Sequence, residues 1–196
     1  PLDVIRNISK GEDPNQKNEI HSGIINLGIN NILVPEEHGG LGLDLLFAAA
    51  ISQSIGEAVA PLPYCGSYVM APIAIQIGAS KSQKENIFNE MSSGNTKFGI
   101  AFSEYFGSRD SSSINFSNEK INGKTIFAID CDYATDVLVS DASGKIGIVS
   151  IEDKNIEIVD LITVDKTRTY KEIKFSNANV EILANTKNST DGIEKA

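Results

Sequence analysis

Two hydrophobic periods divide the chain. From about Asn15 to Ser93, apolar residues return every three or four positions, the spacing of one helix face. After Lys97 they fall in short β-branched runs, the spacing of strands. In the first stretch Ile20, Ile24, Ile25 and Leu27 predict a helix ending near Gly28. Leu45, Ala49, Ile51, Ile55 and Ala58 predict a second, started by Asp44 as N-cap. "APLP" (Ala60–Pro63) breaks it, because proline lacks a donor and restricts the residue before it. A third helix is predicted over Ser67–Ile77. A fourth, capped by Ser80 and closed at Gly94, follows it.

The second stretch reads "KFGIAFSE", "SINFSNEKINGKTIFAI", "DVLVSDASGKIGIVSI", "IEIVDLITV" and "YKEIKFSNANVEIL". Asn-Gly, Ser-Gly and Asp-Lys-Asn turns separate these runs, and no helical pattern intervenes, which predicts an antiparallel barrel or sandwich. The expected architecture is therefore α+β and multidomain. An N-terminal all-α helical domain (1–94) precedes a small antiparallel β-barrel (95–186). In the tail, Asp191 and Glu194 have the spacing of a capping box, so 187–196 reads as the start of a third, helical part. One turn of helix is not stable alone, and the chain reads as a piece of a longer protein.

Composition narrows the chemistry. The chain has 196 residues, 41% of them hydrophobic, enough for a real core. A net charge of −9 and a pI near 4.7 argue against a nucleic-acid footprint, although local backbone N–H groups can still hold an anionic cofactor. Cys65 and Cys131 are far apart and lack metal spacing, as in a reduced, cytoplasmic protein. No apolar run approaches bilayer-spanning length.

The chemically suggestive residues have plain local explanations. His21 and His38 lack companions at ligand spacing, so each reads as a solvated or hydrogen-bonded surface histidine, and no metal site is expected. Glu36 and Glu37 follow Pro35, a helix-start pattern rather than a carboxylate pair. "GGLG" (Gly39–Gly42) lacks dinucleotide spacing and reads as a sharp reversal between helices. "AFSEYFGSRD" (Ala101–Asp110) lies where helices hand over to strands. Ser103 offers a donor there, and loop turn chemistry is the competing reading.

Three segments together resemble the acyl-CoA dehydrogenases. "LGINNILVPEEHGGLGLDLLFAAAISQSIGEAVAPLP" is similar to that family's L-G-x-x-G-x-x-V-P-E-E-y-G-G-x-G and the helix after it. "SGNTKFGIAFSEYFGSRD" is similar to S-G-E-x-x-x-x-x-A-x-T-E-P-x-x-G-S-D. "INGKTIFAIDCDYATDVLVSDA" is similar to v-n-G-x-K-x-F/W-I-T/S-x-a-x-x-A-D-x-x-l-V-x-A. The resemblance implies a helical domain, a β-barrel and a C-terminal four-helix bundle that is absent from these residues. It also implies FAD, and oxidation of an acyl-CoA to a 2-enoyl-CoA in fatty acid metabolism. The catalytic glutamate is expected in the missing bundle, so no catalytic residue is expected in this chain and these residues alone are expected to be inactive.

Carried over position by position, Phe102 and Ser103 match the pair that faces the flavin, with Ser103 keeping a hydroxyl donor. Phe127, Ala128 and Ile129 match the segment against the isoalloxazine, but Ile129 replaces a hydroxyl residue. Ser108 matches a serine that touches acyl-CoA, with Arg109 inserted before Asp110. "TVDKTRTY" (Thr163–Tyr170) replaces the usual turn and resembles a divergent branch that includes steroid side-chain enzymes, some of them mixed oligomers. The implied partners are an acyl-CoA, an electron-transfer flavoprotein or similar acceptor, and further subunits in a homo- or hetero-oligomer. A non-catalytic partner subunit and a flavin oxidase or monooxygenase of the same fold are the alternative readings.

Overall fold

The structure, a computed structural model, describes residues 2–10, 14–106, 113–165 and 167–186. The helical half comprises α1 (Leu2–Lys10), α2 (Pro14–Asn26), α3 (Leu45–Glu57), α4 (Ala71–Gly78) and α5 (Lys81–Ser92). Local chemistry sets several boundaries as predicted. Asp44 accepts from the N–H groups of Leu46 (2.9 Å) and Phe47 (3.4 Å), capping α3. Ser80 and Gln83 form a reciprocal capping box on α5. Asp44→Ala is expected to cost about 1 kcal/mol by urea denaturation, with Asp44→Ser recovering most of it.

The predicted third helix is different in detail. The chain enters a π-helical segment, Tyr64–Met70, directly after Pro63 and passes from it into α4. The "EEHGG" stretch is a short helical turn, Glu36–His38, ended by Gly39 at φ +81°. It is a corner, as the glycines suggest.

A single sheet of β1 (Phe98–Ala101), β2 (Asn115–Ser117), β3 (Lys120–Ile129), β4 (Asp136–Ser140), β5 (Ile146–Ser150), β6 (Ile156–Leu161), β7 (Tyr170–Asn179) and β8 (Glu181–Ile182) follows. Its order is β6-β7-β3-β1-β4-β5-β8, with β2 pairing β3. The ladder is mostly antiparallel, but β1 and β4 are parallel, a departure from the all-antiparallel expectation. The reason is topological: β3 and β4, joined by a loop that holds the short helical turn Cys131–Tyr133, run in opposite senses on either side of β1. Between β1 and β2 lies the short helix α6 (Ser103–Phe106).

Two main cores hold this arrangement. Ala74, Ile75, Phe88 and Met91 of α4 and α5 pack with Phe98, Ile100, Leu138 and Ile146 of the sheet. A second core, including Ile121, Val139, Val149 and Ile173, lies within the strands. A buried side chain of this size contributes about 1.5–3 kcal/mol, so the helices and the sheet are joined by their own hydrophobic contact. By contrast Leu45, Leu46 and Phe47 at the start of α3 are exposed, and the first two line an apolar cleft of about 590 Å³ with Leu33, Pro72 and Ile73. Among the described residues, no helix is long and apolar enough to cross a membrane.

Candidate functional site

The end of β1 and a bulge in β3 meet at one place. Thr125 pairs with Ile173 and Ala128 with Lys171, so Ile126 and Phe127 lie opposite a single residue of β7. Such a bulge re-aims side chains. Here it turns Phe127 outward, 48% exposed, while Ala128 stays fully buried. Phe127 has φ +57°, a conformation that costs a bulky residue of order 1–3 kcal/mol and concentrates at functional positions. Its ring stands edge-on to Tyr170 at 6.4 Å. On the neighbouring chain segment, Ser103 Oγ lies 2.9 Å from Thr125 Oγ1, which ties the start of α6 to the bulged strand.

The sequence-selected residues thus divide. Ser103 is half-buried and Phe127 exposed, both open to a ligand. The side chains of Phe102 (4% exposed) and Ala128 belong to the two cores, so only their main chains face any ligand. Ile129 is partly buried against the helix–sheet core. Ser108 lies outside the described residues. Thr125 escapes sequence reasoning, although it stands where the quoted family pattern carries lysine, a mismatch that marks the position.

The loop after β3 clamps the sheet to the helical half. Asp130, itself at φ +58°, accepts from the N–H groups of Gly66 (2.6 Å) and Ser67 (3.3 Å). Gly66 permits that approach, since a Cβ there would lie 2.6 Å from the carboxylate. Ser67 Oγ donates to the Phe98 carbonyl of β1 at 2.6 Å. Burial raises the Asp130 pKa, and the two N–H donors oppose that rise. Two residues on, Asp132 accepts from Lys17 Nζ (2.6 Å) of α2 and Thr169 Oγ1 (2.8 Å), and pairs with Lys171 Nζ (2.9 Å) of β7. Lys171 also pairs with Asp160. Burial alone would raise Asp132, but these donors outweigh it and bring its pKa to about 2.

Both histidines are held by packing within the protein. His21 is not on the surface, as its sequence suggested, but 5% exposed. Its Nε2 lies 2.7 Å from the Tyr68 hydroxyl and its ring stacks on Tyr133 at 4.2 Å. Burial first, then Lys97 and Lys17, lower its pKa, favouring the neutral ring. His38 packs on Phe88, and its carbonyl accepts from Ser92 Oγ at 2.7 Å. Among the described residues there is no group of His, Cys, Asp and Glu fit to hold a metal ion.

Residues 4–95 match the family described as acyl-CoA dehydrogenase, N-terminal domain. No curated protein sequence matches the chain. Among solved structures, the ChsE4–ChsE5 complex from Mycobacterium tuberculosis is similar with a TM-score of 0.75 at 20% identity, over 96% of this chain and 52% of that one. Acyl-CoA dehydrogenase complexed with FAD from Bacillus anthracis gives 0.77 at 17% identity, over 93% and 35%. The glutaryl-coenzyme A dehydrogenase glutaryl-CoA complex gives 0.67 at 19%, over 98% and 56%. The chain therefore spans about half the length, or less, of these similar chains. At such identities the structures speak for the fold, and the sequence match over the helical half speaks for descent. Together they make residues 4–95 similar in sequence to the acyl-CoA dehydrogenase N-terminal domain, and the whole chain similar in fold to acyl-CoA dehydrogenase structures.

Proposed function

We propose that this chain is the helical and β-sheet portion of a flavoprotein oxidoreductase that takes an acyl-CoA thioester to its 2-enoyl-CoA, with FAD as cofactor. The observations that carry the reading are the outward, left-handed Phe127 at the bulge of β3 and the Ser103 hydroxyl tied to Thr125 of the same strand, in a chain whose helical half matches the family. These residues fit a flat, polar-edged ring: Phe127 supplies an aromatic face, Ser103 a donor, Ile129 an apolar neighbour, and Phe102 and Ala128 their main chains. FAD, when bound, supplies the acceptor for the substrate's β-hydrogen as hydride. A donor near the ring favours negative charge developing on it. We assign the proton-abstracting base to no residue of this chain. Ser108 is proposed as an acyl-CoA contact on its sequence match alone. The proposed division remains 1–94, 95–186 and 187–196.

The test uses the full-length protein. With FAD it is expected to be yellow, and an acyl-CoA added anaerobically is expected to bleach the flavin band. A homogeneous, folded preparation that stays colourless overturns the reading. Rapid re-oxidation by air after bleaching would instead favour an oxidase.

A second reading has its own support. Ile129 stands where the family carries a hydroxyl, and the similar ChsE4–ChsE5 structure is a complex of two different chains. Under it, this chain is a non-catalytic subunit that completes a partner's site. Flavin uptake only in the presence of a co-expressed homologue would favour it.

A further inference from the structure

Thr125 is fully buried, and the Ser103 hydroxyl at 2.9 Å is the sole hydrogen-bond partner of its side chain among the described residues. Each hydroxyl has one proton to give and two lone pairs. One proton occupies the line between the oxygens, and the other is left for use elsewhere. Were Ser103 the donor, the Thr125 proton would be left inside the protein without an acceptor, which a buried hydroxyl disfavours. With Thr125 as donor, that proton is satisfied, and the unused proton belongs to half-buried Ser103.

We propose that Thr125 is a positioning residue. It donates to Ser103 and so fixes the Ser103 hydroxyl as a donor to an acceptor atom of the bound flavin ring. The inference rests on the flavin reading above. Thr125 touches neither flavin nor substrate in this arrangement. It acts by deciding which way one proton points, from a rigid position in β3 just before the bulge that turns Phe127 out. Chains of hydroxyls also polarise one another, so a Ser103 oxygen that accepts becomes a better donor.

The experiment is a double-mutant cycle on the full-length protein, reading FAD affinity and the midpoint potential and visible band of the bound flavin. Thr125→Val keeps the shape and removes the hydroxyl. It is expected to weaken FAD binding about three- to tenfold, the effect of one net hydrogen bond, to make the potential more negative, and to shift the band. Thr125→Ser is expected to restore all three. In a Ser103→Ala background, Thr125→Val is expected to add nothing.

A Thr125→Val protein that binds FAD like wild type while Ser103→Ala does not overturns the inference and leaves the flavin reading intact. Equal losses in both backgrounds show a structural role and also overturn it. A wild-type protein that takes up no FAD overturns the reading itself. Should Thr125→Val fail to fold, Thr125→Cys, a weaker donor of similar size, carries the same cycle, with a smaller loss expected only when Ser103 is present.

Discussion

Gly40→Ala is expected to destabilise the helical half by about 3 kcal/mol or more, a large share of the ~5–15 kcal/mol that holds a typical domain. A Cβ at Gly40 would lie 2.0 Å from the Val34 carbonyl oxygen and 2.5 Å from its carbon. Those are backbone atoms, and no rotamer change can move them. The same oxygen accepts from Gly42 N–H at 2.9 Å, and Gly40 N–H itself donates to the Pro35 carbonyl at 3.1 Å. Relieving the clash therefore breaks the hydrogen bonds that close the corner before α3.

Its neighbour provides the control. Gly39 has φ +81°, but a Cβ there meets nothing nearer than 3.6 Å, on Ser92. Gly39→Ala should cost only the left-handed conformation, about 1–2 kcal/mol. Urea denaturation followed by far-ultraviolet circular dichroism measures both. If the two alanines cost the same, close backbone approach is not what the "GG" pair provides.

What the sequence disclosed and what it withheld follow the range of the interactions. Asp44, Ser80 and Gln83 act on backbone within three residues of themselves, so their roles are written in the local pattern. The change from helical to strand period is local too, and the helices do give way to strands between Ser92 and Phe98. The parallel β1–β4 pair depends on how three segments are threaded, which no single window contains. The π-helical segment after Pro63 has the same apolar residues as an ordinary helix, and only packing distinguishes them.

The candidate site shows the same limit. Family motifs single out Ser103 and Phe127, and the geometry gives each a setting that no motif describes. A phenylalanine at positive φ cannot be foreseen from residue type, since glycine is the usual occupant of that region. Thr125 acquires meaning only when β3 comes beside α6, 22 residues away in sequence. Lys17 reaches Asp132 across 115 residues, and that contact, with the Tyr133 stack on His21, makes an apparent surface histidine a buried one.

Asp130→Ala is expected to cost about 2–4 kcal/mol at neutral pH, and Asp130→Asn far less. Alanine removes the acceptor for Gly66 and Ser67 N–H at the start of the π-helical segment, and each such donor left buried and unpaired costs about 1–3 kcal/mol. Asparagine keeps an acceptor oxygen and removes a charge that burial disfavours. The sign of the pH dependence follows. Asp130 has its folded pKa above the ordinary aspartate value of 3.8, so its favourable contribution is complete below 3.8 and is lost as pH rises through the folded pKa. The asparagine variant should therefore gain on wild type as pH rises. Asp132 runs the other way. Its folded pKa of about 2 lies below 3.8, so its contribution is complete above 3.8 and is lost as pH falls through about 2. Because Asp132 is an exposed residue whose carboxylate is only partly covered, solvent screening reduces that contribution to about 1–2 kcal/mol, the expected deficit of Asp132→Ala at pH 7. Urea denaturation between pH 3 and pH 8 separates the two carboxylates. The Asp132→Ala deficit should shrink toward the acid end, and any advantage of Asp130→Asn should grow toward the alkaline end. If asparagine at 130 costs as much as alanine, the negative charge, and not the acceptor oxygen, holds the π-helical segment against the sheet.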